Sequence, residues 1–260
     1  MDSNYSVTIP WNETVELQQD KEYCIVYDKK KQETYKIGFH EYRKIYSIPG
    51  LYEYLFYDKL KCCSPEKVCS FLERAIKTES LDMIDLHVLD LGAGNGMVGE
   101  QLRNVGVKTV YGLDIEKLAE KAVKRDRPTV YNDYYVADLT HLPQSLRDEL
   151  NKKRFNCLVA VAALGFSVPP EVLIQGINLL STPGWVAFNI KEDFLSGDDL
   201  TGFYFLIRNM IENDILDVRL QERYQHRLSI QGKPLYYIAI VGKKKADIPT
   251  EWLSKFKLCM

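Results

Sequence analysis

No stretch of this 260-residue chain approaches the ~18 consecutive apolar residues that cross a bilayer as a helix. Its opening residues, MDSNYSVTIPWNETVELQQD, lack the basic-then-apolar order of a secretory leader. The expectation is a cytoplasmic protein with no membrane partner. Charge of one sign is not in excess either: 34 Lys and Arg stand against 36 Asp and Glu, a formal net charge of −2. That balance offers no electrostatic handle for nucleic acid, and none is expected as a partner. Cysteine is sparse. Cys62, Cys63 and Cys69 form the only cluster among the six, with no CxxC and no histidine nearby. No metal site is expected from that spacing, and the three read as small hydrophobes buried on a helix. The four histidines, His40, His87, His141 and His226, are scattered and read as structural. Neither an internal repeat nor a low-complexity segment is present.

Apolar residues make up 46% of the chain and aromatics 12%, enough to bury a full core. Residues 1–20 show no periodicity and read as irregular. EYCIVYDKKKQETYKIGFH reads as a hairpin turning around Lys29 to Gln32, and a tyrosine-dense stretch follows. Ser64-Pro65-Glu66 starts a helix running to about Ile76, with Ser64 as its cap. From Leu86 short strands alternate with helices. The strands fall at 87–91, 109–114, 130–138, 157–164 and 185–191. TGFYFLIRNMIEND reads as a helix buried on nearly every side, and two long strands close the chain. The pattern predicts an α/β fold: a Rossmann-like, seven-stranded, mostly parallel sheet with one antiparallel strand, helices on both faces, and an N-terminal lid and hairpin extension. Residues 1–80 read as the extension and 81–260 as the main domain.

The chemistry concentrates in VLDLGAGNGMVGEQL, Val88 to Leu102. Glycines between a strand and a helix let the backbone turn tightly and approach a ligand, although such glycines also occur for structure alone. Two further acids fall at predicted strand ends. Asp114 stands where a carboxylate grips a ribose diol, and also where it would cap the helix beginning at Glu116. Asp138 could accept an N–H from a purine edge. Gly94, Gly96 and Gly99 satisfy GxGxxG, so a dinucleotide is the competing ligand. Asp90 argues against it. At ~6 Å and an effective dielectric of ~20, its charge would oppose a pyrophosphate charge by about 3 kcal/mol. No Lys or Arg lies between 87 and 102 to offset that. An adenosine compound carrying an ammonium or sulfonium fits better.

With these residues in view, the chain resembles a class I S-adenosylmethionine-dependent methyltransferase. The matching pieces are VLDLGAGNG, the acid of VYGLD, VADLTHLP, FNCLVAVAALG and LLSTPGWVAFNIKE, over about residues 86–191. The resemblance implies S-adenosyl-L-methionine as cofactor. Asp90 with the turn residues Gly92, Ala93, Gly94 and Gly96 would hold its methionine part. Asp114 would bind the ribose hydroxyls, and Ile115 would pack on the adenine. Asp138 and Leu139 would bound the adenine, and Ala162 and Ala163 would lie near the sulfonium. Two departures from the family pattern, Asn156 before strand four and Trp185 in place of a second glycine, touch none of these contacts.

In-line methyl transfer needs a positioned nucleophile and excluded water, and a general base only when the nucleophile is protonated and weakly acidic. AALGFSVPP, after strand four, lacks the Asn/Asp-Pro-Pro-aromatic signature of enzymes acting on base or amide nitrogen. A small-molecule methyl acceptor is therefore the first reading, with no catalytic base assigned. The tyrosine-dense stretch reads as a lid, with Tyr42 and Tyr46 on one helix face toward the cofactor or as rim packing. The acids of KEDFLSGDDL could select a cationic acceptor or form a solvated loop. The alternatives are an NAD-type oxidoreductase and a non-catalytic, cofactor-binding family member acting on a protein partner.

Overall fold

The computed structural model describes residues 1–11 and 17–252. The chain divides into two compact units, one of residues 1–63 and 225–236, the other of residues 64–224 and 237 onward. No helix among the described residues is long and apolar enough to cross a membrane.

The first unit holds a three-stranded antiparallel sheet in the order β1 (Tyr5–Thr8), β2 (Tyr23–Asp28), β3 (Glu33–Gly38). The hairpin expected at Lys29 to Gln32 forms: Asp28 Oδ1 accepts from the backbone N–H groups of Lys30 and Lys31, and Gln32 takes a left-handed φ of 58°. The irregular reading of residues 1–20 is corrected by β1, whose Val7 pairs with Val26. Four residues are too few to show an alternation in sequence. Residues 12–16 of that stretch lie outside the described residues. Helix α1 (Tyr42–Ser47) follows. Then α2 (Leu51–Glu53) runs into a π-helical turn over Tyr54–Lys59. Cys24, Val26, Phe39, Ile45, Leu51, Leu55 and Leu60 form the core of this unit. Within it Glu22 and Arg227 form a buried ion pair at 2.5 Å, and Glu22 Oε1 also accepts from Ile230 N at 2.8 Å. Cys62 and Cys63 correct another expectation, since both precede the next helix and are half-buried; only Cys69 of the three is buried on it.

The second unit opens with α3 (Ser64–Thr78), which buries Val68, Cys69, Phe71, Leu72, Ala75 and Ile76 on one face. Its strands and helices then alternate: β4 (His87–Leu91), α4 (Met97–Asn104), β5 (Thr109–Asp114), α5 (Lys117–Asp126), β6 (Asp133–Val136), α6 (Gln144–Lys152), β7 (Cys157–Ala160), α7 (Pro170–Asn178), β8 (Gly184–Lys191), α8 (Phe203–Glu212), β9 (Leu216–Leu228) and β10 (Pro234–Lys244). The sheet order is β6-β5-β4-β7-β8-β10-β9. β6 through β8 pair in parallel, and β10 runs antiparallel to β8 from Tyr237↔Lys191 to Lys244↔Gly184. The expected seven-stranded, mostly parallel architecture is therefore present. Strands β7 and β8 are buried almost throughout, as parallel strands covered on both faces must be.

Three elements differ from the sequence pattern. β7 ends at Ala160 although the apolar run continues to Leu164, because the chain turns left-handed at Ala162. β6 begins only at Asp133, leaving Tyr131 outside the ladder. Helix α8 is buried on one face, through Phe203, Leu206, Ile207 and Met210, while Ile211 is exposed.

Candidate functional site

The carboxyl ends of β6, β5, β4 and β7 lie side by side in the sheet, and the turn after β4 sits at their centre. Gly92, Gly94 and Gly96 have φ of 70°, 53° and 89°, a left-handed run that side chains resist. Gly92 is further constrained by space: a Cβ there would lie 2.4 Å from Ala163 Cβ, so the chain leaving β7 is packed directly against the turn. The turn is tied to β5 through Gly92 N and Ala93 N, which donate to Leu113 O at 2.8 and 3.1 Å. Gly96 caps α4.

Asp90 does not stand at the open mouth that the charge argument pictured. It is fully buried, and Tyr131 Oη donates to its Oδ2 at 2.6 Å. Its other oxygen, Oδ1, is buried with no hydrogen-bond partner among the described residues. Burial pushes its pKa up to about 7, with the Tyr131 hydrogen bond pulling the other way and Asp114 adding to the rise. The free protein thus carries only part of a negative charge there near neutral pH. Tyr131 gave no signal in the sequence, because the contact spans 41 positions. Gly99 supplies the reason it fits, as a Cβ there would meet the Tyr131 ring at 2.7 Å. Tyr134 makes a parallel contact, donating from Oη to Gly94 O at 2.9 Å.

Asp114 is half-buried and accepts from Gly94 N at 2.9 Å and Glu116 N at 2.8 Å. Burial raises its pKa, and these backbone donors oppose the rise. The cap of α5 is Glu116, whose Oε1 accepts from Leu118 N. Ile115, beside Asp114, is 69% exposed, unusual for an isoleucine inside a folded domain. Asp138 ends the segment after β6. Its Oδ1 accepts from Thr140 N and Oγ1, and the Thr140 hydroxyl leads in holding its pKa below the usual carboxylate value. Leu139 is buried in the main core.

One cation that the sequence spacing hid comes close. Arg127 packs its Cδ 3.2 Å from a Cβ built at Gly96, but its guanidinium is committed to Glu100, at 3.0 Å, and to Asn95 O. On the β7 side, Ala162 is exposed at φ 53°, followed by Gly165 and Phe166, both also left-handed. Phe166 meets Phe194 edge to face at 5.2 Å. Three of the acids after β8 are occupied within the unit: Glu192 pairs with Arg223, Asp193 with Lys191, and Asp199 accepts from the Tyr204 and Thr201 amides at the start of α8. Tyr42 and Tyr46 belong to the first unit, where their rings stack at 6.2 Å and Tyr46 continues onto Tyr52 at 5.2 Å.

Residues 89–188 match the family model described as a methyltransferase domain. No curated protein matches the chain. Among solved structures, an S-adenosylmethionine-dependent methyltransferase from Anabaena variabilis superposes with a TM-score of 0.53 at 16% identity, over 78% of this chain and 92% of that one. The N-methyltransferase NodS from Bradyrhizobium japonicum, solved with S-adenosyl-L-homocysteine, superposes with a TM-score of 0.53 at 11% identity, over 80% of this chain and 98% of its own. At these identities the two structures speak to architecture alone. The family match and the sheet order agree: over residues 89–188 the chain is similar to a methyltransferase domain, carried on a Rossmann-like, seven-stranded fold.

Proposed function

We propose that the protein binds S-adenosyl-L-methionine in the second unit and transfers its methyl group to a small-molecule acceptor. The observation that carries this reading is the set of three carboxylates, Asp90, Asp114 and Asp138, at the ends of three adjacent strands around a left-handed glycine turn. The residues present fit the cofactor. Asp90 Oδ1 is a buried acceptor awaiting a donor, Gly92 leaves the backbone bare, and Ile115 offers an apolar platform. In this reading Asp90, Gly92, Ala93, Gly94 and Gly96 hold the methionine part and Asp114 the ribose. Ile115 packs on the adenine, the backbone at Leu139 bounds it, and Asp138 reaches its amino group. Ala162 stands on the sulfonium side.

When bound, the cofactor supplies an electrophilic methyl group. The chain's own part is to orient and to exclude water. Asp90, drawn toward its ionised form by a neighbouring cation, would anchor the positive end. Asp114 is held rigid by Gly94 N and Glu116 N, so its remaining lone pairs present fixed acceptors to a diol. At the β7 exit the exposed Ala162 and the Phe166–Phe194 ring pair form an apolar wall, and Glu192 and Asp193 beside it are already paired with Arg223 and Lys191. Such a wall suits an uncharged, partly apolar acceptor better than a cationic one or a phosphate backbone.

Calorimetric titration with S-adenosylhomocysteine and, separately, NAD⁺ tests the cofactor. Heat with the first and none with the second is expected; the reverse would assign the site to a dinucleotide. Labelled methyl transfer into fractionated metabolite pools then tests turnover, and cofactor binding without any labelled product would favour a non-catalytic role.

A further inference from the structure

An asparagine lies within β8, a strand buried at every residue but its last. Asn189 of β8 is fully buried between Phe188 and Ile190, which are also fully buried. A primary amide in such a position must spend its hydrogen-bonding groups on specific partners. Asn189 Oδ1 accepts from the backbone N–H of Ala162 at 2.6 Å, and Asn189 Nδ2 donates to Tyr224 Oη at 2.6 Å. The orientation of the amide is thereby fixed, because only its oxygen can receive the Ala162 N–H. Tyr224 Oη in turn shares a hydrogen bond with Ser64 Oγ at 2.7 Å, and both residues are buried.

The far end of this chain of contacts is the unusual one. Ala162 has a φ of 53°, a conformation that glycine adopts freely and alanine resists. Its neighbour Ala163 is the residue packed against Gly92. The peptide that Asn189 grips is therefore the wall facing the glycine turn. The near end is also distinctive: Ser64 and Tyr224 are the residues at which the long segment of the second unit begins and ends.

We infer that Asn189 is a positioning residue: by accepting the Ala162 N–H it holds the wall after β7 in its left-handed form, and so sets the width of the cofactor site opposite Gly92. This rests on the proposed cofactor reading. The contact explains why β7 stops four residues before its apolar run does. Without the amide oxygen, Ala162 relaxes toward extended backbone, and Ala163 shifts relative to the turn.

The experiment is a double-mutant cycle on S-adenosylhomocysteine affinity, read by calorimetry on the full-length protein. Asn189→Ala is expected to weaken binding about tenfold, the scale of one buried hydrogen bond to a neutral group. In the Ala162→Gly background the same change is expected to cost under about threefold, because glycine needs no anchor at positive φ. Asn189→Leu, which keeps the volume and loses the amide, replaces the alanine variant should that one not fold. Hydrogen exchange of the Ala162 amide, measured without any ligand, provides an independent readout. Faster exchange in the Asn189 variant than in the native chain is expected. Equal affinity loss in both backgrounds, or unchanged exchange, overturns the inference. Failure of the native chain to bind S-adenosylhomocysteine would instead sink the cofactor reading, and the exchange measurement would still judge the role of Asn189.

Discussion

Tyr131 Oη donates to Asp90 Oδ2 across 2.6 Å, and the Asp90 carboxylate itself is fully buried. The free protein therefore holds a carboxyl group whose ionisation is opposed by burial and only partly supported. Asp90 titrates near 7 in the folded chain, against 3.8 for the unperturbed group. Because the folded pKa is the higher one, the penalty is absent below the unfolded value. It grows as pH rises through the interval and is complete above about 7. Thermal melts of the ligand-free protein at pH 5 and pH 8 should show Asp90→Asn gaining stability at the higher pH. The gain at pH 8 should exceed that at pH 5 by about 2–3 kcal/mol, because part of the penalty is already present at pH 5. An equal shift at both would mean that Asp90 is ionised throughout.

Ligand affinity should carry the complementary signature. A cation placed beside Asp90 favours its ionised form, so binding releases a proton when the free group is protonated. The affinity for S-adenosylmethionine should rise between pH 6 and pH 8, by up to about tenfold, and flatten above the free pKa. Calorimetry in buffers of different ionisation enthalpy would detect the proton directly. No proton release at pH 6 would separate Asp90 from the charged end of the ligand.

Asp114→Ala should weaken S-adenosylhomocysteine binding by more than tenfold. It also removes the acceptor for Gly94 N and Glu116 N, so a stability loss of about 1–2 kcal/mol should accompany it. Asp114→Asn keeps one acceptor oxygen and should lie between the two. Denaturant melts alongside the titrations separate the contributions, and unchanged affinity in the alanine variant would remove Asp114 from the site.

Ile115 gives the cleanest separation of binding from folding, because 69% of it is exposed. Ile115→Ala should leave the melting temperature within about 1–2 °C, as surface substitutions usually do. Its affinity for S-adenosylhomocysteine should fall about three- to tenfold, the scale of the apolar area lost against an adenine face. A variant that binds as well as the native chain would show that the isoleucine faces only solvent.

Gly92→Ala tests the turn itself. The added methyl meets Ala163 Cβ at 2.4 Å at a φ of 70°, so close packing and backbone conformation both oppose it. A loss of about 2–4 kcal/mol is expected in urea unfolding. A neutral result would mean the wall after β7 gives way easily.

The strands and crossover helices of the second unit were legible because each is a local pattern: an apolar run, a capping residue, a glycine break. The same holds for Asp90, Asp114 and Asp138, whose positions at strand ends follow from counting along the chain. What escaped was the set of contacts that distance in sequence conceals. Tyr131 and Arg127 reach the turn from beyond α5, and Asn189 reaches Ala162 from the next strand. Asn189 did leave a trace, a lone amide inside WVAFNIK, where a buried polar group calls for a partner. The limit of β7 was misjudged for the same reason. Its apolar composition continues past Ala160, and the turn at Ala162 is imposed by a hydrogen bond from a different element.

The ion pair of Glu22 with Arg227 joins stretches some two hundred positions apart. Removing either partner would strand a charge in the interior, at a cost of about 3–5 kcal/mol. An amino-terminal arm borrowed from a relative would therefore tolerate transplantation only if the tip of the final hairpin travelled with it.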